Sequence, residues 1–308
     1  MYKKMLVPLD GSKLAEVVLG YAKELAGRLD LDIILLHVRR PEESEKDPIH
    51  RSYIDRMAEG IKLQSREVQK ETRAKPGSKV VEARGELAVG YPAEEILRYA
   101  EHNNIDFILL ATHGRSGVKR WSVGSVADKV LSASKIPVWL VRADIPEEII
   151  HDEWPRRTIL VPLDGSDLAE SVLLHVEALA KQRGAELVEV VLLRVCYPPE
   201  ISSDYPEASM SLSWEEHVKR EMAWAKRGGE QYLADVQKRL KDSGLNVRAE
   251  VMMGKPADEI IKYVKDNNIN LIVMATHGRS GLTRWAYGST ADKILHGAAS
   301  PIFLVRPH

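Results

Sequence analysis

The sequence predicts two doubly wound α/β domains in tandem, each built on a five-stranded parallel sheet. Three observations lead there. The first is an internal repeat of domain length. The second is the alternation of strand-length apolar runs with amphipathic helical stretches inside each copy. The third is that runs such as Ile33-Ile34-Leu35-Leu36 and Phe107-Ile108-Leu109-Leu110 are apolar at every position. A strand of that composition needs cover on both faces, as in a parallel sheet wrapped by helices.

The repeat is plain residue by residue. Leu6-Val7-Pro8-Leu9-Asp10-Gly11-Ser12 recurs as Leu160-Val161-Pro162-Leu163-Asp164-Gly165-Ser166. Ala111-Thr112-His113-Gly114-Arg115-Ser116-Gly117 recurs as Ala275-Thr276-His277-Gly278-Arg279-Ser280-Gly281. Asp164 follows Asp10 by 154 positions and His277 follows His113 by 164, so about ten residues are inserted within the second copy. The domains are expected at 1–143 and 156–308. The stretch from Ala143 to Arg156, with Pro146, Pro155 and many charges, reads as a linker.

In the first copy, strands are expected near 3–8, 32–38, 79–84, 105–112 and 137–142. Helices are expected near 12–28, 50–74, 92–103 and 125–134. Pro92 and Pro256 suit a first helical turn, where the missing N–H has no partner to lose. Both copies close on apolar strands, Val138-Trp139-Leu140-Val141 and Ile302-Phe303-Leu304-Val305. A bare edge of that composition invites aggregation. The halves are therefore expected to pack through their last strands as an intramolecular pseudo-dimer, with further association of two chains open to it.

Bulk properties exclude several classes of function. Lys and Arg number 44 against 45 Asp and Glu, a net charge of −1. That balance gathers neither nucleic acid nor an anionic membrane. No segment approaches the ~18 apolar residues of a membrane span. Met5-Leu6-Val7 is too short for a signal peptide's apolar stretch. Cys196 is the only cysteine and can make no internal disulfide. A soluble, reducing, cytoplasmic setting is expected.

In such sheets ligands bind beyond the carboxyl ends of the strands, at the switch point in strand order. Asp10 and Asp164 follow the first strand of their halves, and Gly114 and Gly278 follow the fourth. Gly124-Ser125 and Gly288-Ser289 open the next helix. A helix N-terminus with glycine before it suits an anion. Ser125 and Ser289 fit either a phosphate contact or a helix cap. Asp-Gly-Ser fits either a ligand-binding acid or an ordinary turn and cap. Arg115, Lys119, Arg120, Arg279 and Arg284 fit either phosphate donors or a solvated loop. His113 and His277 read as packed or backbone-bonding histidines, with no nucleophile or acid spaced to partner them.

The strand-Pro-x-Asp-Gly-Ser opening and the Thr-His-Gly-Arg-Ser-Gly…Gly-Ser segment resemble universal stress proteins, and the resemblance covers nearly the whole chain, twice. The family's ATP-binding branch carries Gly, two residues, Gly, nine residues, then Gly and Ser or Thr. Nine residues separate Gly114 from Gly124, and Gly278 from Gly288. Ala111 and Ala275 stand where the leading glycine belongs, adding one methyl group beside the expected nucleotide. The resemblance implies that Asp10 and Asp164 contact the adenosine and that Val38 and Val195 flank adenine. Gly114, Gly124, Ser125 and Val126, with Gly278, Gly288, Ser289 and Thr290 as their twins, would hold phosphates and ribose. Pro8 and Pro162 of the opening motif complete the expected site with Ala111 and Ala275.

The implied ligand is ATP, any Mg²⁺ or Mn²⁺ arriving with the phosphates. No Gly-x-x-x-x-Gly-Lys-[Ser/Thr] loop occurs. No Cys/His cluster has metal-ligand spacing, and no paired carboxylates sit beside the glycine loop. An ATP-binding regulatory or stress-response protein is therefore expected rather than an enzyme. The competing functions are an interaction module without nucleotide and a slow ATPase.

Overall fold

A computed structural model describes residues 1–72, 79–112, 123–142, 157–197, 214–277 and 287–307. The first half forms strands β1 (Lys4–Pro8), β2 (Asp32–Arg39), β3 (Ala83–Val89), β4 (Phe107–Ala111) and β5 (Val138–Val141). The second forms β6 (Arg157–Pro162), β7 (Val188–Cys196), β8 (Asn246–Met253), β9 (Leu271–Ala275) and β10 (Ile302–Val305). Helices α1 (Lys13–Glu16), α2 (Val18–Leu29), α3 (Asp47–Glu71), α4 (Pro92–His102) and α5 (Ser125–Ala133) connect the first set. The second set is connected by α6 (Asp167–Glu170), α7 (Leu173–Arg183), α8 (Trp214–Asp242), α9 (Pro256–Asp266) and α10 (Ser289–Gly297).

Strand order is β3-β2-β1-β4-β5 in one half and β8-β7-β6-β9-β10 in the other, with parallel pairing throughout each. The halves do not keep separate sheets. β5 and β10 pair antiparallel, Trp139 opposite Phe303, and join them into one ten-stranded sheet. The expected meeting of the last strands is what the structure has. Each face of this sheet carries one continuous apolar core that crosses the junction. Met5, Phe107, Val161 and Phe303 belong to one, and Leu6, Ile108, Leu160 and Ile302 to the other.

Two expectations need correction. The third strand is 83–89, not 79–84. It lies at the sheet edge, half-exposed along its length, so it lacks the two-sided apolar run that marks β4. The helix expected over 12–28 is divided at Val17 into α1 and α2. No described helix is long and apolar enough to cross a membrane.

Polar contacts brace the junction on both sides. Arg142 Nη1 donates to His296 O and Ala298 O at 3.2 Å each, where α10 ends. Arg306 Nη1 donates in return to Ser132 O at 2.9 Å, in the last turn of α5. Carbonyls there have no helical partner, and a cation suits the helix's negative end. Tyr2 fills the other face, edge-on to Phe107 and Phe303, with its hydroxyl 2.6 Å from His175 Nδ1. Tyr287 lies 3.1 Å from Ser132 Oγ and donates to Asp128 O at 3.2 Å.

Burial pushes the Tyr287 phenol up from 10.0 to about 12. Burial likewise raises Tyr2 and Tyr21. The folded state therefore keeps protons that the unfolded chain gives up first. Stability should be intact below pH 10 and fall as pH rises toward about 12. Urea midpoints across that window should show the fall, and Tyr287→Phe should make it shallower. A slope unchanged by the substitution would place Tyr287 outside this linkage.

Candidate nucleotide site

The site begins as a divergence of strands. β1 pairs with β4 only at Met5–Phe107 and Leu6–Ile108, and β6 with β9 only at Ile159–Leu271 and Leu160–Ile272. Leu9 N donates to Leu36 O and Leu163 N to Leu193 O, both at 2.9 Å. Alternation along the strand turns the nitrogens of Pro8 and Pro162 the other way, toward β4 and β9. A proline has no N–H to give there, so the ladder stops. The strands part where their order reverses, which is where open α/β sheets bind ligands.

A cavity of about 370 Å³ fills the first crevice, lined by Pro8, Asp10, Val38, Ala111, Gly124, Ser125 and Val126 of the expected residues. Its twin, about 300 Å³, is lined by Pro162, Asp164, Val195, Ala275, Gly288, Ser289 and Thr290. Such volumes fall at the small end of the range for small-molecule sites. Gly114 and Gly278 lie outside the described residues, as do His113 and the loop arginines and lysine. The antiparallel junction points the two cavities toward opposite ends of the sheet.

Each wall has a local cause. Asp10 Oδ1 accepts from Ser12 N at 2.9 Å, and Ser12 Oγ accepts from Ala15 N at 3.2 Å, capping α1. Asp164 and Ser166 repeat this at 3.0 and 3.2 Å, with Ser166 Oγ also donating to Asp164 at 2.6 Å. The turn works because Gly11 and Gly165 take φ of 79°, the left-handed region. The acids are thus both turn-formers and cavity walls. Carboxylates have acceptor capacity beyond one such bond.

Across the crevice, Gly124 N donates to Thr112 O at 2.7 Å and Gly288 N to Thr276 O at 3.0 Å. These bonds tie the start of α5 and α10 back to the ends of β4 and β9. The cap positions are Gly124 and Gly288, while Ser125 and Ser289 are the first helical residues. The capping role open to the serines is therefore not the one they have. A glycine cap has no side chain to accept from the first-turn N–H groups. Two nine-residue helices thus open on the cavities without a side-chain cap.

The neighbours of the expected residues complete the lining. Thr112 and Thr276, Leu9 and Leu163, and Ile96 and Ile260 repeat in both halves. His37 and Arg40 line the first cavity where Arg194 and Tyr197 line the second. Adjacency in sequence to Asp10, Val38 and Ala111 was the available signal for most of them. His277 is buried, with Nδ1 3.0 Å from Thr276 Oγ1, as a packed histidine would be. Asp128 and Asp292 are exposed and outside both linings. Among the described residues, no group of three or more His, Cys, Asp or Glu is placed to hold a metal ion.

The glycines of the site differ in what they need. Gly11→Ala forces a side chain into the left-handed region and should cost ~1–2 kcal/mol. Gly124, at φ −64°, has no such requirement, so Gly124→Ala should leave the backbone unstrained. Thermal unfolding of the two variants separates them. Equal melting temperatures would mean that the Asp-Gly-Ser turn relaxes freely.

A model of the universal stress protein family matches residues 1–142 and again 155–306. The universal stress protein YxiE of Bacillus subtilis is 31% identical over 148 residues, 46% of this chain and all of its own. A universal stress protein of Mycobacterium bovis is 24% identical over 312 aligned positions, 98% of this chain and 96% of its own. The crystal structure of a universal stress protein from Archaeoglobus fulgidus shares the fold at a TM-score of 0.62 and 22% identity, covering 98% of both chains. With the motif, the doubled fold and these matches in agreement, the chain belongs to the universal stress protein family.

Proposed function

We propose that each half binds one ATP across its parted strand ends and that nucleotide occupancy makes the chain a regulatory, stress-response protein. One observation carries this reading. A helix N-terminus capped only by glycine opens on each switch-point cavity, which is an anion site of backbone donors. Phosphates belong at Gly124, Ser125 and Val126, and at Gly288, Ser289 and Thr290. The adenosine belongs across the crevice, at Asp10 and Val38 and at Asp164 and Val195. Ala111 and Ala275 line the cavities without filling them, so the methyl added at the family's glycine position is compatible with a ligand. A divalent ion would enter on the phosphates, since no group of three or more His, Cys, Asp or Glu among the described residues is placed to hold one.

Titration calorimetry of the full chain should give about two ATP per chain. At free ATP of ~100 Kd each site should stabilise the folded state by ~2.7 kcal/mol. Gly124→Val adds an isopropyl group beside the phosphates and should reduce the stoichiometry to one. Zero stoichiometry in the wild type would favour an interaction module of the same fold.

The chain should bind ATP far better than it hydrolyses it. Fast phosphoryl transfer needs a held metal, a positioned nucleophile and donors aimed at the transition-state charge. The cavity offers first-turn N–H groups, which hold the ground state equally well. Multiple-turnover assays with Mg²⁺ or Mn²⁺ should stay well below the ~10 s⁻¹ typical of enzymes. A rate near that value, lost on Asp128→Asn or Asp292→Asn, would replace the binding protein with an ATPase.

A further inference from the structure

The two cavities differ most where β2 and β7 end. Pro8 is paired with Leu36 and Pro162 with Leu193, so the next residues, His37 and Arg194, stand at equivalent places. His37 is buried and its Nδ1 donates to Leu9 O at 2.8 Å. Arg194 lines the second cavity beside Asp164 and Val195. Its Nε and Nη1 are buried and have no hydrogen-bond partner. The guanidinium carbon lies 5.6 Å from the centre of the Tyr232 ring. A ring face stabilises the charge but uses up no N–H in the guanidinium plane.

Unmet donors on buried guanidinium nitrogens are costly in the folded protein. A ligand that brings an acceptor removes the cost only when it binds, so the gain appears as affinity. Position says which end of the ligand that is. Arg194 lies near the end of β7, two strands away from β9, and α10 begins after β9. The helix N-terminus that suits phosphate is thus across the crevice from Arg194. A purine edge supplies ring nitrogens as acceptors.

We propose that Arg194 donates to an acceptor atom on the base of a nucleotide in the second cavity, which makes this the tighter of two unequal sites. The inference rests on the nucleotide reading above and adds a specificity residue that the first half lacks. Duplication left the backbone of the two crevices alike, and this substitution sets them apart.

Calorimetric titration of the full chain with ATP, and separately with inorganic tripolyphosphate, tests it. Wild type should show two classes of ATP site about tenfold apart, the ratio one charged hydrogen bond supplies. Arg194→Met keeps the stem and removes the donors. It should merge the classes at the weaker value and leave tripolyphosphate binding unchanged. Arg194→His, which installs the first cavity's residue, should do the same. Two equal ATP sites in the wild type, or two classes untouched by both substitutions, overturn this inference and leave the nucleotide reading standing. Tripolyphosphate affinity falling in step with ATP affinity would move Arg194 to the phosphate end and overturn it too. Absence of ATP binding at either site removes the nucleotide reading, and this inference with it.

Discussion

Strands β5 and β10 are four residues long and buried at every position. Standing apart, each half would end in a bare apolar edge, with unpaired N–H and C=O groups beside side chains that water does not solvate. Pairing the two edges antiparallel removes both defects in one contact. It also lets Tyr2, Trp139 and Phe303 close the core across the junction. The reciprocal reach of Arg142 into the end of α10 and Arg306 into the end of α5 then fixes the register from outside. A slip of one residue would send the Trp139 and Phe303 side chains to the opposite face and pull both arginines off their carbonyls. Because one chain carries both edges, the contact forms at an effective concentration that reaches the mM range.

The geometry of the sites follows from that pairing. Antiparallel joining sends the carboxyl ends of the two parallel sets in opposite directions, so the cavities cannot share a ligand or a wall. Each is closed by its own half: a proline that ends a ladder, an Asp-Gly-Ser turn, and a helix start tied to the neighbouring strand end. The hydrogen bonds that build these parts repeat between halves to within a few tenths of an ångström. Side chains do not repeat so faithfully. His37 against Arg194 and Arg40 against Tyr197 show which positions the backbone leaves open to change.

Much of this was legible in the sequence, for physical reasons that particular residues make clear. Phe107 to Leu110 are apolar on both faces because β4 is central, and a central strand announces itself. The third strand starts four residues later than its apolar pattern suggests, because an edge strand is solvated on one side and Arg84 and Glu86 break the apolar run. Positions around the cavities were legible because the repeat marked them twice. The cap was not, since glycine and serine both serve at that place and only backbone angles separate them. The crossing arginines were invisible for another reason. Their partners lie 154 to 174 residues away in sequence, and no local pattern encodes a contact at that range.

The prolines of the opening motif show how a small chemical fact becomes a site. Both stand at the last residue of a central strand, where a missing N–H would ordinarily weaken the sheet. Register alone decides which neighbour loses the bond. Leu9 and Leu163 keep β2 and β7 attached, so the loss falls on the side of β4 and β9. A proline one residue earlier or later would have faced the other neighbour and parted β1 from β2 instead. The crevice would then have opened away from α5, whose N-terminus has no side-chain cap for its first-turn N–H groups. The motif therefore encodes the direction of the opening as well as its existence, and the helix that opens on the cavity has use for only one of the two directions.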